Sequence, residues 1–156
     1  MRLIGLVVTL LCFTSLKPFE SNAQPNQDQV LAQQYMQKEE YDKAAQLFQK
    51  LYNKNITSQY FYQSLFKCKF ALRQFDELKK LVEKRLKKFP DKLTCHVDLG
   101  KIESEFGAEE KAQKHYKEAI SRLTANESQI RQLANAFMQI RDYELEIGRA
   151  SCRERV

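Results

Sequence analysis

The side chains best suited to chemistry in the interior of this 156-residue chain are His96, His115, Cys68 and Cys95. Neither histidine has a second at helical metal-pair spacing, and the cysteines form no CxxC or zinc pattern. The chain also contains no glycine-rich phosphate loop and no nucleophile elbow. Each histidine therefore reads as an ordinary helix-surface or boundary residue, and no catalytic site, metal or cofactor is expected. Glu109 and Glu110 read as solvated charges at a helix start, free to pair with nearby lysines. Tyr60, Gln63, Lys67 and Phe70 step by three, four and three, so they share one face of a helix. Aromatic, amide and ammonium groups together suit an extended peptide or a partner helix.

The elements that would carry this face follow from a fixed period. Leu31, Leu65, Leu99 and Leu133 stand 34 residues apart. Tyr41, Phe75 and Tyr143 keep the same interval, with Glu109 the exception; Ala44, Leu78 and Ala112 share a second slot, and Phe48, Val82 and Tyr116 a third. Glycine and proline are scarce and apolar residues recur at three and four, which predicts an all-helical chain. Leu78, Leu81, Val82, Leu86 and Phe89 predict one helix's core stripe, ended by Pro90, with Asp91 and Asn126 as caps of the helices that follow.

Lys38-Glu39-Glu40-Tyr41-Asp42-Lys43-Ala44 through Phe48, and Gly107 through Ala119, resemble the turn and second helix of tetratricopeptide repeats, whose helix-turn-helix period is 34 residues. The resemblance implies an all-α fold, a right-handed α-solenoid of stacked hairpins. Repeats are expected near 25–58, 59–92 and 93–126, with a half repeat at 127–146. Repeat two departs most: Phe66 stands where Ala32, Gly100 and Ala134 stand, and Leu78 where Ala44 and Ala112 stand, which leaves its helix spacing open. Cys68 and Cys95 then fall near opposite ends of successive parallel helices, roughly 10 Å out of register, so two small buried side chains are expected rather than a bridge.

In this family the first helices line a concave groove. The resemblance therefore implies a partner-binding face at Tyr60, Gln63, Lys67 and Phe70, flanked by Gln33 and Met36 before it and Lys101 after it. Members that bind chaperone tails hold a terminal carboxylate with lysine and asparagine. Gln29, Gln33, Ser64, Thr94 and Asp98 occupy those positions here, which argues against that ligand.

Both ends are expected to lie outside the folded domain at 24–146. Arg2, the apolar run Leu3 to Leu16 and the Ser21-Asn22-Ala23 pattern read as a signal peptide over 1–23. Glu146 to Val156 coincide residue for residue with one translation of a common sequencing adapter, so 147–156 are expected to be non-native. Over 24–146, Lys plus Arg falls from 26 to 21 and Asp plus Glu from 20 to 18, leaving +3. That charge argues against nucleic acid as a partner. The basic segment Lys79 to Lys92, including Lys84, Arg85, Lys87 and Lys88, reads as a solvated helix face.

Together these readings predict a noncatalytic scaffold for a protein or peptide, exported to a bacterial periplasm or envelope and meeting the membrane only through export. The alternative is an N-terminal docking or sensing module of a longer protein with a separate effector domain. The helix carrying Ile130, Leu133, Phe137 and Ile140 would lack a packing partner on one side, and fraying or self-association is expected over Glu127 to Val156.

Overall fold

Three turns set the register of the chain. Glu39, Arg73 and Gly107, spaced by 34 residues, have φ of 60°, 56° and 70°. This left-handed conformation ends a helix and reverses its direction. The bonds around each turn repeat as well: the Glu40, Gln74 and Ala108 amides donate five residues back, to the Tyr35, Lys69 and Glu103 carbonyls, at 2.9, 3.0 and 3.0 Å. Only Gly107 accepts this geometry without steric cost.

A computed structural model describes the backbone of residues 27–153 and the side chains of residues 27–140. The expected signal peptide lies outside the described residues. Between the turns run α1 (Gln27–Gln37), α2 (Tyr41–Lys54), α3 (Gln59–Ala71), α4 (Phe75–Lys88), α5 (Thr94–Glu105), α6 (Glu109–Ser121) and α7 (Glu127–Arg153). The described residues contain no strand. They form an all-α solenoid of helical hairpins, α1/α2, α3/α4 and α5/α6, followed by α7. No described helix is long and apolar enough to cross a membrane.

One core runs through the first hairpins, with Ala32, Ala44, Phe48, Leu65, Leu78, Val82, Cys95 and Ile102 fully buried. A smaller cluster of Leu93, Val97, Ala119 and Leu133 joins α5, α6 and α7. The period leucines divide by position: Leu65, Leu99 and Leu133 are buried, whereas Leu31 on α1 is 40% exposed. Each hairpin buries its face against its neighbours, so a helix with a described neighbour on one side only leaves part of its stripe open. Ala134 is exposed on α7 for the same reason.

Residue size in one slot sets the helix spacing. A Cβ on Gly100 would lie 2.2 Å from Cε1 of Tyr116, so α5 and α6 meet at a point that admits only glycine. The equivalent Phe66 and Leu78 hold α3 and α4 farther apart, and that hairpin makes the sparser contact. Ser58 Oγ accepts from the Phe61 amide at 3.3 Å, and Asn126 Oδ1 accepts from the Gln129 amide at 3.1 Å, capping α3 and α7. Asp91 does not cap α5: the helix begins at Thr94 after a tight turn, and the Asp91 backbone carbonyl accepts from Leu93. Both Cys68 and Cys95 are free and buried. Burial pushes their thiols up to about 11 and about 12, which makes them inert.

The phase of the turns would place another at residue 141, yet α7 continues without a break to Arg153. No glycine or proline stands near that position to stop the helix. Leu133 is buried under α5, while Ile130 and Met138 are 45% and 50% exposed.

Candidate binding surface

The odd-numbered helices form one layer, and two hydrogen bonds join its members. Gln33 on α1 donates from Nε2 to the Tyr60 hydroxyl on α3 at 2.8 Å. The Tyr62 hydroxyl on α3 donates to Oδ2 of Asp98 on α5 at 2.6 Å. These bonds tie the helices carrying the sequence-predicted residues into one continuous surface.

Those residues do not all stand alike. Gln63 and Lys67 are exposed, and Gln33 and Lys101 are half-buried. Tyr60 is 40% exposed, with its ring edge-on to Phe48 at 6.2 Å and beside Phe61 at 5.6 Å. Met36 is half-buried and packs onto the core. Phe70, expected on the open face, is instead buried: its ring stacks on Phe66 at 5.8 Å and meets Phe75 edge-on at 5.3 Å. The Lys101 ammonium sits 4.3 Å above the Phe70 ring centre and covers it. The large Phe66 explains the difference, because the widened α3/α4 hairpin draws Phe70 inward to fill the gap. The open surface is thus Gln33, Tyr60, Gln63 and Lys67, with Asp98 and Lys101 at its α5 edge.

Charge on this edge is unusual. Asp98 is half-buried, and burial pushes its carboxyl up to about 6, against the opposing pull of the Tyr62 hydrogen bond, Lys101 and Arg85. Burial holds the Lys101 ammonium below its ordinary value, while Asp98 raises it. A carboxylate and an ammonium, both partly stripped of water, therefore share one α5 face. Charges in that condition respond strongly to a complementary partner group.

Arg85 departs from the solvated face expected of the Lys79 to Lys92 segment. It is 1% exposed. Nη1 donates to the Tyr52 hydroxyl at 3.0 Å and the Ile56 carbonyl at 2.9 Å, and Nη2 to Oε1 of Gln59 at 3.0 Å. The guanidinium lies 4.2 Å from the Tyr62 ring centre, so it supports from behind the tyrosine that holds Asp98. Its spacing carried the signal: Arg85 follows Leu78 and Val82 on the same helical stripe. Lys84, Lys87 and Lys88 are exposed, as expected. His96 also differs from the boundary residue expected of it, being 6% exposed.

No protein-family model matches the chain, and no curated protein sequence does. Solved structures do. MamA of MSR-1 is 25% identical with a TM-score of 0.52, covering 61% of this chain and 55% of its own. MamA of AMB-1 is 26% identical with a TM-score of 0.50, covering 60% of this chain and 51% of its own. The chain thus spans about half the length of these two proteins. PcrH in complex with the chaperone binding region of PopB is 15% identical with a TM-score of 0.56, covering 70% of this chain and 88% of its own.

Proposed function

We propose that this tetratricopeptide-repeat solenoid is a noncatalytic scaffold that binds a peptide or partner helix across the exposed side of α1, α3 and α5. One observation carries the reading: Gln33, Tyr60, Gln63, Lys67, Asp98 and Lys101 make a polar and aromatic surface across three helices, held in register by the Gln33–Tyr60 and Tyr62–Asp98 bonds. PcrH, which shares the fold, forms a complex with the chaperone binding region of PopB, so the architecture is compatible with holding a segment of another protein. Among the described residues no three metal-ligating side chains converge, and the buried thiols are held protonated. The signal-peptide pattern at 1–23 supports a bacterial periplasm or envelope as the place of action.

A photo-crosslinking residue placed at Gln63, and separately at Lys84 on α4, tests the surface in envelope extract. Crosslinks to a protein from position 63 and none from position 84 are expected. Crosslinks from position 84 alone would move the interface to the opposite layer. A second reading, a docking module of a longer protein, draws support from the exposed Ile130 and Met138, which a following helix would cover.

A further inference from the structure

We propose that His96 and His115 form a two-imidazole site for a borderline divalent cation of the Zn2+, Ni2+ or Cu2+ class, bridging α5 and α6 within the third hairpin. His96 is 6% exposed, yet neither Nδ1 nor Nε2 has a hydrogen-bond partner. Buried polar side chains are almost always paired, and the one lone-pair nitrogen of the buried neutral imidazole is open to a metal ion. The ring beside it is another imidazole: His115 stands 6.2 Å away between ring centres, tilted by 36°.

The distance suits a shared ion. A metal–nitrogen bond of about 2.0 to 2.1 Å places each ring centre about 3.2 Å from the metal, so two rings on one ion stand no more than about 6.4 Å apart. The observed separation falls inside that limit. A tetrahedral angle needs about 5.2 Å, so such a site requires a closure of about 1 Å from the observed separation.

The electrostatic setting keeps the ligands ready. Burial holds both imidazoles below their ordinary value, and Arg122 acts in the same direction on His96, as do Lys79 and Lys114 on His115. Glu118 opposes this for both rings, and Glu103 for His115. The lowering favours the neutral ring, the form that donates a lone pair to a metal. Lys79 is paired with Glu103 at 2.5 Å and Arg122 with Glu118 at 2.7 Å, which offsets two of the three cationic side chains that act on the rings. Two nitrogens and no converging carboxylate select imidazole-preferring ions over Mg2+ or Ca2+, with solvent filling the remaining positions. A bound ion would pin α5, which carries Asp98 and Lys101, to α6.

The test is calorimetric titration of the untagged full chain with ZnCl2, NiCl2 and MgCl2 at pH 7.5, for wild type, His115→Ala and His96→Gln. Helicity and Tm of each form are checked by circular dichroism. We expect one equivalent of Zn2+ or Ni2+ on the wild type with a raised Tm, no binding of Mg2+, and at least tenfold weaker binding in either variant. His115 is only half-buried, so His115→Ala keeps the comparison valid even if His96→Gln does not fold. Absence of Zn2+ and Ni2+ binding, or binding unchanged in a folded variant, would overturn the proposal.

Discussion

Replacing Gly100 with alanine opposes two effects of known direction. Alanine is the better helix residue by about 1 kcal/mol, which alone would stabilise α5. Against this, the new Cβ would lie 2.2, 2.6 and 2.8 Å from Cε1, Cδ1 and Cζ of Tyr116. All three atoms belong to one rigid ring, so the ring must move by more than 1 Å to reach ordinary contact. It is not free to do so alone, because it packs edge-on against Phe137 of α7 at 5.6 Å. Forced repacking of this kind costs about 1–3 kcal/mol, and the displaced ring also weakens the seat of α7. The net expectation for Gly100→Ala is a loss of up to about 2 kcal/mol, read by urea denaturation followed by circular dichroism. Combining it with Tyr116→Leu removes the ring and lets the propensity gain appear, so the double variant should lose less than the two single losses added. Increased stability of Gly100→Ala, or strict additivity with Tyr116→Leu, would refute the close-approach argument.

Other substitutions separate the remaining parts of the structure. Arg85→Ala should cost about 3–5 kcal/mol in urea denaturation, since it leaves a cavity and strips the Ile56 carbonyl and Gln59 of their charged donor; Arg85→Met, which refills the space, should recover part of that loss. Glu39→Gly should stabilise by about 0.5–1 kcal/mol by relieving a left-handed backbone, whereas Arg73→Gly should gain less because its guanidinium lies over the Phe75 ring at 5.2 Å. For Asp98 the folded carboxyl is raised from an ordinary 3.8 to about 6, so its contribution to stability is fully present below pH 4 and is lost as pH rises through 6. Asp98→Asn keeps an acceptor for Tyr62 and should gain about 2–3 kcal/mol relative to wild type between pH 4 and 7.5, measured by chemical denaturation at both. Sedimentation at rising concentration should show self-association through the exposed Ile130 and Met138, and Ile130→Lys with Met138→Lys should abolish it.

The sequence alone determined the architecture, because a 34-residue period is a statement about register that survives ignorance of any contact. Buried Leu65, Leu99 and Leu133 and the starts of α2, α4 and α6 at Tyr41, Phe75 and Glu109 lie on that phase. Cap chemistry was legible where the side chain stands next to the helix it serves, as at Asn126. It misled at Asp91, where the turn geometry rather than the residue type decides.

What only the tertiary structure decided lies where several helices meet. Phe70 shares a helical face with Tyr60 and Lys67, yet it turns inward because Phe66 widens its hairpin and Lys101 covers it. Arg85 belongs to a basic run but is drawn into the core, where Tyr52, Ile56 and Gln59 from outside α4 supply its acceptors. His96 and His115 are distant enough in sequence to look unrelated, and only the stacking of α5 on α6 brings their rings within 6.2 Å. Periodicity fixes which residues face the next helix. Side-chain volumes on both helices fix how near that helix comes, and so which of those residues remain open to a partner.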